Sequence, residues 1–118
     1  MFSSDFEQAL KATNIPVAHF GWETERFPLG DYIVYSENSM DDMEANGLHI
    51  ERATVGTVDL FTRDYSDGAK DPVEQALSGL PGIVWQLETI QFEEETRYVH
   101  YSWMVGQYGE GIAVQGSV

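Results

Sequence analysis

Phe2, Phe6 and Leu10 recur every four residues with Ala9 beside them, a spacing that makes one apolar stripe along a helix. Ser4 and Glu7 have the spacing of a capping box, in which each side chain serves a free backbone N–H of the first turn. Asn14 and Pro16 end that helix, because proline disfavours helical geometry in the residue before it. The pattern then changes period. From Val17 to Trp22, Ala18, Phe20 and Trp22 alternate with Val17, His19 and Gly21, and after the turn-like run Phe27 to Gly30 comes Asp31-Tyr32-Ile33-Val34-Tyr35. That second run is β-branched and aromatic at successive positions, which predicts a strand covered on both faces in the middle of a sheet.

Ser36 to Gly47 is polar and acidic and ends on the turn signal Asn46-Gly47, so it reads as a long loop. Leu48 to Arg63 returns to strand periodicity, as one long bent strand or two short ones, with a bulge or bend at Gly56. Asp71 as N-cap, Pro72 at the first helical position and Glu74 open a second helix. Its stripe is Val73, Ala76, Leu77 and Leu80, and Pro81-Gly82 stops it. The closing unit reads as a long hairpin. Ile83, Trp85 and Leu87 share one face, and Val84, Gln86, Glu88, Ile90 and Phe92 share the other. Glu93-Glu94-Glu95-Thr96 makes a solvent-exposed tip, and the return strand carries Val99, Tyr101, Trp103 and Val105 on one side and Tyr98, His100, Ser102 and Met104 on the other. This order predicts an α+β domain over residues 1–106, a mainly antiparallel sheet with two helices packed on one face. Residues 107–118, rich in glycine, are expected to form a flexible C-terminal tail.

Composition narrows the function classes. The chain has 118 residues, and with 42% apolar and 13% aromatic residues it has the material for one packed core. Twenty acids oppose six Lys and Arg, a net charge of −14, so a grip on nucleic-acid backbone or anionic lipid is not expected. There is no cysteine, hence no disulfide, thiolate metal site or thiol nucleophile. No apolar run approaches a membrane span and no signal peptide opens the chain, so a cytosolic protein is expected. His19, His49 and His100 are scattered without metal-ligand spacing, and Asp41-Asp42-x-Glu44 lacks the alternation that wraps calcium. No nucleophile elbow or phosphate loop is present, so neither catalysis nor a metal or cofactor is expected.

What remains is where the charge sits. The acids gather in two segments, Glu37 to Glu44 and Glu93 to Glu95. Two such segments serve as a solubilising surface, a lining that repels a passing polyanion, or docking surfaces for basic partners. The candidate interaction residues are Asp41, Asp42 and Glu44 in one segment and Glu93, Glu94 and Glu95 in the other. Trp22, Trp85 and Trp103 are expected in the core rather than at an interface.

The order of segments resembles the tail terminator, or tail completion, proteins of long-tailed bacteriophages. An N-terminal helix leads into Ile15-Pro16-Val17-Ala18-His19-Phe20-Gly21-Trp22, followed by Pro28 to Tyr35. The acidic stretch Asn38 to Asn46 precedes Val58-Asp59-Leu60-Phe61-Thr62, and Lys70-Asp71-Pro72-Val73-Glu74 opens a helix ending at Leu80. Phe92-Glu93-Glu94-Glu95 then returns through Tyr98-Val99-His100-Tyr101. The likeness runs from Phe2 to Val105 as an ordered pattern of short stretches; the segment beyond Gly106 has no counterpart in it. It implies a structural virion protein, assembled in the host cytoplasm, that forms a hexameric ring. Such a ring caps the tail tube, binds the tube protein and the head–tail connector, and lets DNA pass through its lumen without binding it. Two other readings are a head completion or connector component and an acidic mimic of DNA that inhibits a nucleic-acid enzyme.

Overall fold

A computed structural model of the chain describes residues 2–20, 30–45, 48–108 and 114–116; over 39–45, 48–52 and 114–116 it describes the backbone. Helix α1 spans Ser4–Lys11 and α2 spans Lys70–Ser78. The strands are β1 (Val17–His19), β2 (Tyr32–Ala45), β3 (Leu48–Thr62), β4 (Ile83–Phe92), β5 (Val99–Gln107) and β6 (Val114–Gly116). Strand order is β1-β2-β3-β5-β4, with β6 added to β3 beyond the end of β5. Among the described residues only β1 and β2 pair in parallel. The fold is therefore the expected mainly antiparallel α+β arrangement, with both helices on one face.

Cross-strand rows explain why that face is the core. Ile33, Leu60 and Tyr101 lie side by side across β2, β3 and β5, and the next row is Tyr35, Val58 and Trp103. All six are buried, and Phe6 and Leu10 of α1 and Val73 and Leu77 of α2 close over them with no exposure. Polar tethers then fix each helix to the sheet. The Tyr35 hydroxyl donates to Glu7 of α1 at 3.1 Å, and the Trp103 indole N–H donates to Glu74 of α2 at 3.0 Å. Tyr101 donates to Asp67, just before α2. Burial is the first reason that Tyr35 and Tyr101 hold their protons up to about pH 12, and the hydrogen bonds to Glu7 and Asp67 add to it.

Several sequence readings change. Ser36 to Ala45 is not a loop: it continues β2 and pairs with β3 as far as Ala45↔Leu48. A polar strand survives there because its partner supplies the backbone bonds, a tertiary contact that overrides weak β-propensity. Leu48–Thr62 is one strand, the first of the two arrangements expected for it. Asn38 is an extra residue on β2, between the pairs Glu37↔Gly56 and Ser39↔Val55. Opposite it, the backbones approach so closely that a Cβ on Gly56 would lie 2.0 Å from the Ser36 carbonyl oxygen. Helix α1 takes Ser3 as N-cap without a side-chain cap bond, because Ser3 is engaged by Gln107. Glu7, freed from capping, accepts from Tyr35 and pairs with Lys11. Helix α2 starts one residue before Asp71, with Ala69 as N-cap. The segment read as an unpacked tail contributes β6, whose Val114 pairs with Ile50 and Gly116 with Leu48. Trp103 is fully buried and Trp85 half-buried against the core; Trp22 and the turn over 27–29 lie outside the described residues.

Gly56→Ala is expected to destabilise the fold by about 3 kcal/mol, since the added methyl meets main chain rather than a yielding side chain; urea unfolding measures it. Tyrosine ionisation gives a second outcome. Unfolded tyrosine loses its proton near pH 10, whereas Tyr35 and Tyr101 hold theirs to about 12. Their contribution to stability is complete below pH 10 and disappears as pH rises towards 12. Thermal unfolding of the wild type should fall more steeply across that window than unfolding of a Tyr35→Phe/Tyr101→Phe double variant.

Candidate interaction surface

The two hairpins of the sheet point in opposite directions. Val99 pairs with Thr62 and Gln107 with Thr54, so the β4–β5 tip lies at the base of the β2–β3 hairpin. The β2–β3 hairpin runs on past β5 and forms an arm along a molecule 42 Å in its longest dimension. Its acids sit in a strand, not in the expected loop: Asp41 opposite Ala53, Glu44 opposite His49, with Asp42 in the irregular step between Asp41 and Met43. Glu93, Glu94 and Glu95 occupy the tip of β4–β5, where Glu94 and Glu95 are exposed. The two acidic trios are thus held at opposite ends of the sheet. Two bonds close the tip: the Glu93 amide donates to the Tyr98 carbonyl and the Arg97 amide to the Glu93 carbonyl, both at 2.8 Å.

A second feature lies beside that tip, and the sequence reading missed it. Strict alternation put Ile90 and Phe92 on the face opposite Leu87. The structure has a register shift between Leu87 and Thr89, after which Ile90 pairs with Tyr101 and Phe92 with Val99. The extra residue, Glu88, turns Ile90 and Phe92 onto the helix face. Neither helix reaches that far, so Ile90 remains 57% exposed and Phe92 47%. Tyr65, also 57% exposed, meets Phe92 edge to face at 5.9 Å, and its hydroxyl donates to the Arg97 carbonyl at 2.8 Å. The Arg97 guanidinium lies 5.0 Å above the Phe92 ring. This apolar patch with a cation on it adjoins β4, the last strand in the sheet order. Glu88, a charged residue inside an otherwise uncharged strand, was the signal available in the sequence.

Arg97 differs from the other described cations. Lys11 pairs with Glu7 at 3.3 Å, and Lys70 with Glu74 at 3.4 Å and Asp71 at 3.5 Å. Arg63 lies over the Tyr98 ring and donates to the Thr96 carbonyl. Among the described residues no carboxylate comes within ion-pair distance of Arg97.

His19 and His100 lie on opposite faces of the sheet. His19 Nε2 lies 2.5 Å from Glu37 Oε1, on the helix face, with its ring stacked on Tyr35 and Phe20. His100 pairs with Asp59 at 2.8 Å in the register of Phe61, on the other face. His49 belongs to the stretch where only backbone is described. An open groove of about 580 Å³ between α2 and Trp85 presents Asp71 and Glu74, both already beside Lys70. Among the described residues no group of three metal-ligating side chains converges, and no helix is long and apolar enough to cross a membrane.

A scan against protein-family models and a search of curated proteins each return no match.

The Glu93, Glu94 and Glu95 trio is expected to be thermodynamically idle within one copy. Replacing all three by Gln should change unfolding stability by under about 0.5 kcal/mol in chemical denaturation, because Glu94 and Glu95 are exposed and the Glu93 carboxylate accepts from the neighbouring Thr96 hydroxyl, a bond that a Gln carbonyl can also accept.

Proposed function

We propose that this chain is a structural subunit of a phage tail: a tail terminator whose copies form a ring that caps the tail tube and joins it to the head connector. The observation that carries the reading is the two-ended sheet, with one acidic hairpin pointing along each direction of the molecule. A ring component needs separate surfaces for its neighbours and for the structures above and below it. A sheet with helices on one face and oppositely directed hairpins supplies them. Contacts between unlike surfaces of identical copies close into a ring when the repeated rotation closes.

The charge suits the same role. Six copies would carry roughly −84, from −14 in each. DNA phosphates moving through such a ring meet carboxylates and few cations, so no counterion release rewards binding and the polymer passes without sticking. Mimicry of DNA suits the geometry less well. A mimic needs carboxylates spaced like phosphates along one face, and here the two trios stand at opposite ends of the sheet.

Incubated with purified tail tubes, the protein should appear in negative-stain images as a ring on one end of each tube, and its removal from the phage should give tails of uncontrolled length. Binding to tail-less heads alone would move it to the head side of the joint. Failure to bind either, at every ionic strength tried, would end this reading.

A further inference from the structure

We infer that the patch formed by Tyr65, Ile90, Phe92 and Arg97 is the docking surface for the acidic β2–β3 arm of a second copy of this chain. The inference rests on the ring reading above and names the contact that would build the ring.

Three observations select this occupant. The first is charge. In a chain of net charge −14, Arg97 is exposed, lies on an aromatic ring and has no carboxylate partner among the described residues. Arginine set among Tyr and Phe is the composition of an interface centre, and it calls for a carboxylate. The arm carries Asp41, Asp42 and Glu44 in a single strand, with Met40 and Met43 interleaved, residues whose unbranched apolar side chains suit irregular apolar surface.

The second is backbone. Strand β4 ends the sheet, and its exposed half, Glu88 to Phe92, has no further strand beside it among the described residues. Strand β1 covers β2 only from Ile33 to Tyr35, so the rest of the β2 edge is likewise without a neighbour among the described residues. Each step from β2 through β3 and β5 to β4 reverses direction, so β4 and β2 run antiparallel. A second copy continuing the sheet past β4 with its own β2 would therefore pair antiparallel, the more favourable ladder. The third is position. Patch and arm belong to opposite edges of the sheet, β4 and β2, so a copy that continues the sheet past β4 with its β2 leaves its own β4 on the far side, open to the next copy. The contact is head to tail, the kind that closes rings. Glu94 and Glu95 flank the patch and oppose the incoming arm, so association should strengthen as salt screens them.

The chain has no cysteine, which permits a direct test by cross-linking. Ile90→Cys and Met43→Cys variants are prepared separately, checked for native unfolding midpoints, mixed at assembling concentration and oxidised. The expected result is a disulfide-linked dimer in the mixture and none from either variant alone. A cross-link from Ile90→Cys alone would mean that β4 meets β4, and would overturn the inference. Rings that form on tail tubes without any Ile90–Met43 cross-link would overturn it too while leaving the ring reading intact. Absence of any assembly by the wild type would remove both. As a second measure, Arg97→Glu should raise the concentration for half-assembly about tenfold, and Asp42→Lys with Glu44→Lys in the same chain should restore part of the loss. Assembly of Arg97→Glu at the wild-type concentration would count against the contact whatever the cysteines show.

Discussion

The hydrogen-bond register of β3 is the constraint on which the rest of this structure depends. One edge of β3 is paired with β2 along nearly its whole length, and the other edge with β5 and then β6. Because side chains alternate at every residue, this single alignment decides that Val58 and Leu60 face the helices while Asp59 and Phe61 face away. A slip of one residue would exchange the two sets and put Asp59 beneath Phe6 and Leu77. Long pairing of this kind tolerates local irregularity only if the alignment is recovered. The extra residue at Asn38 on β2 is answered by one on β3 between Ala53 and Ile50, and past that point the pairing returns to its first alignment.

The one-sided core follows. The helix face is closed by apolar packing and by three side-chain bonds that reach from the sheet to Glu7, Glu74 and Asp67. All three acceptors are carboxylates at or beside the helices, and all three donors are aromatic side chains of β2 and β5. The sheet thus recruits part of the chain's excess acid as structure, since a buried hydroxyl or indole N–H needs a partner. Among the described residues no helix covers the opposite face. It is held by a row of rings across three strands: Tyr32 stacked on Phe61 at 4.6 Å, and Phe61 on His100 at 4.2 Å.

Much of this was legible in residue order, and what was not has definite causes. The helix stripes Phe6–Leu10 and Val73–Leu77, the hairpin from Ile83 to Val105 and its exposed acidic tip all follow from periodicity and turn chemistry, because local and tertiary preferences agree there. They disagree in the arm. Ser36 to Ala45 has the composition of a loop and becomes strand because β3 lies beside it, a fact absent from any local window. Bulges are the second blind spot. Periodicity assumes two residues per repeat, so Glu88 reversed the assignment of Ile90 and Phe92 and hid the apolar patch. The acidic trios were found as charge, but their separation to opposite ends depended on the lengths of two strands and not on composition.

That separation changes what the net charge means. Screening in physiological salt removes most interaction between exposed charges beyond about 8 Å, and the molecule is 42 Å long. The arm and the β4–β5 tip therefore act as independent acidic ends, not as one diffuse negative field. Repulsion between copies depends on which ends meet. Arm against arm, or tip against tip, sets carboxylates against carboxylates. Arm against the patch would also pass Glu94 and Glu95, but would meet at least one guanidinium without a carboxylate partner among the described residues and three exposed large hydrophobic side chains. If copies meet as proposed, the net charge would give the contact its orientation specificity, since the disfavoured pairings would be opposed by like charge rather than by shape.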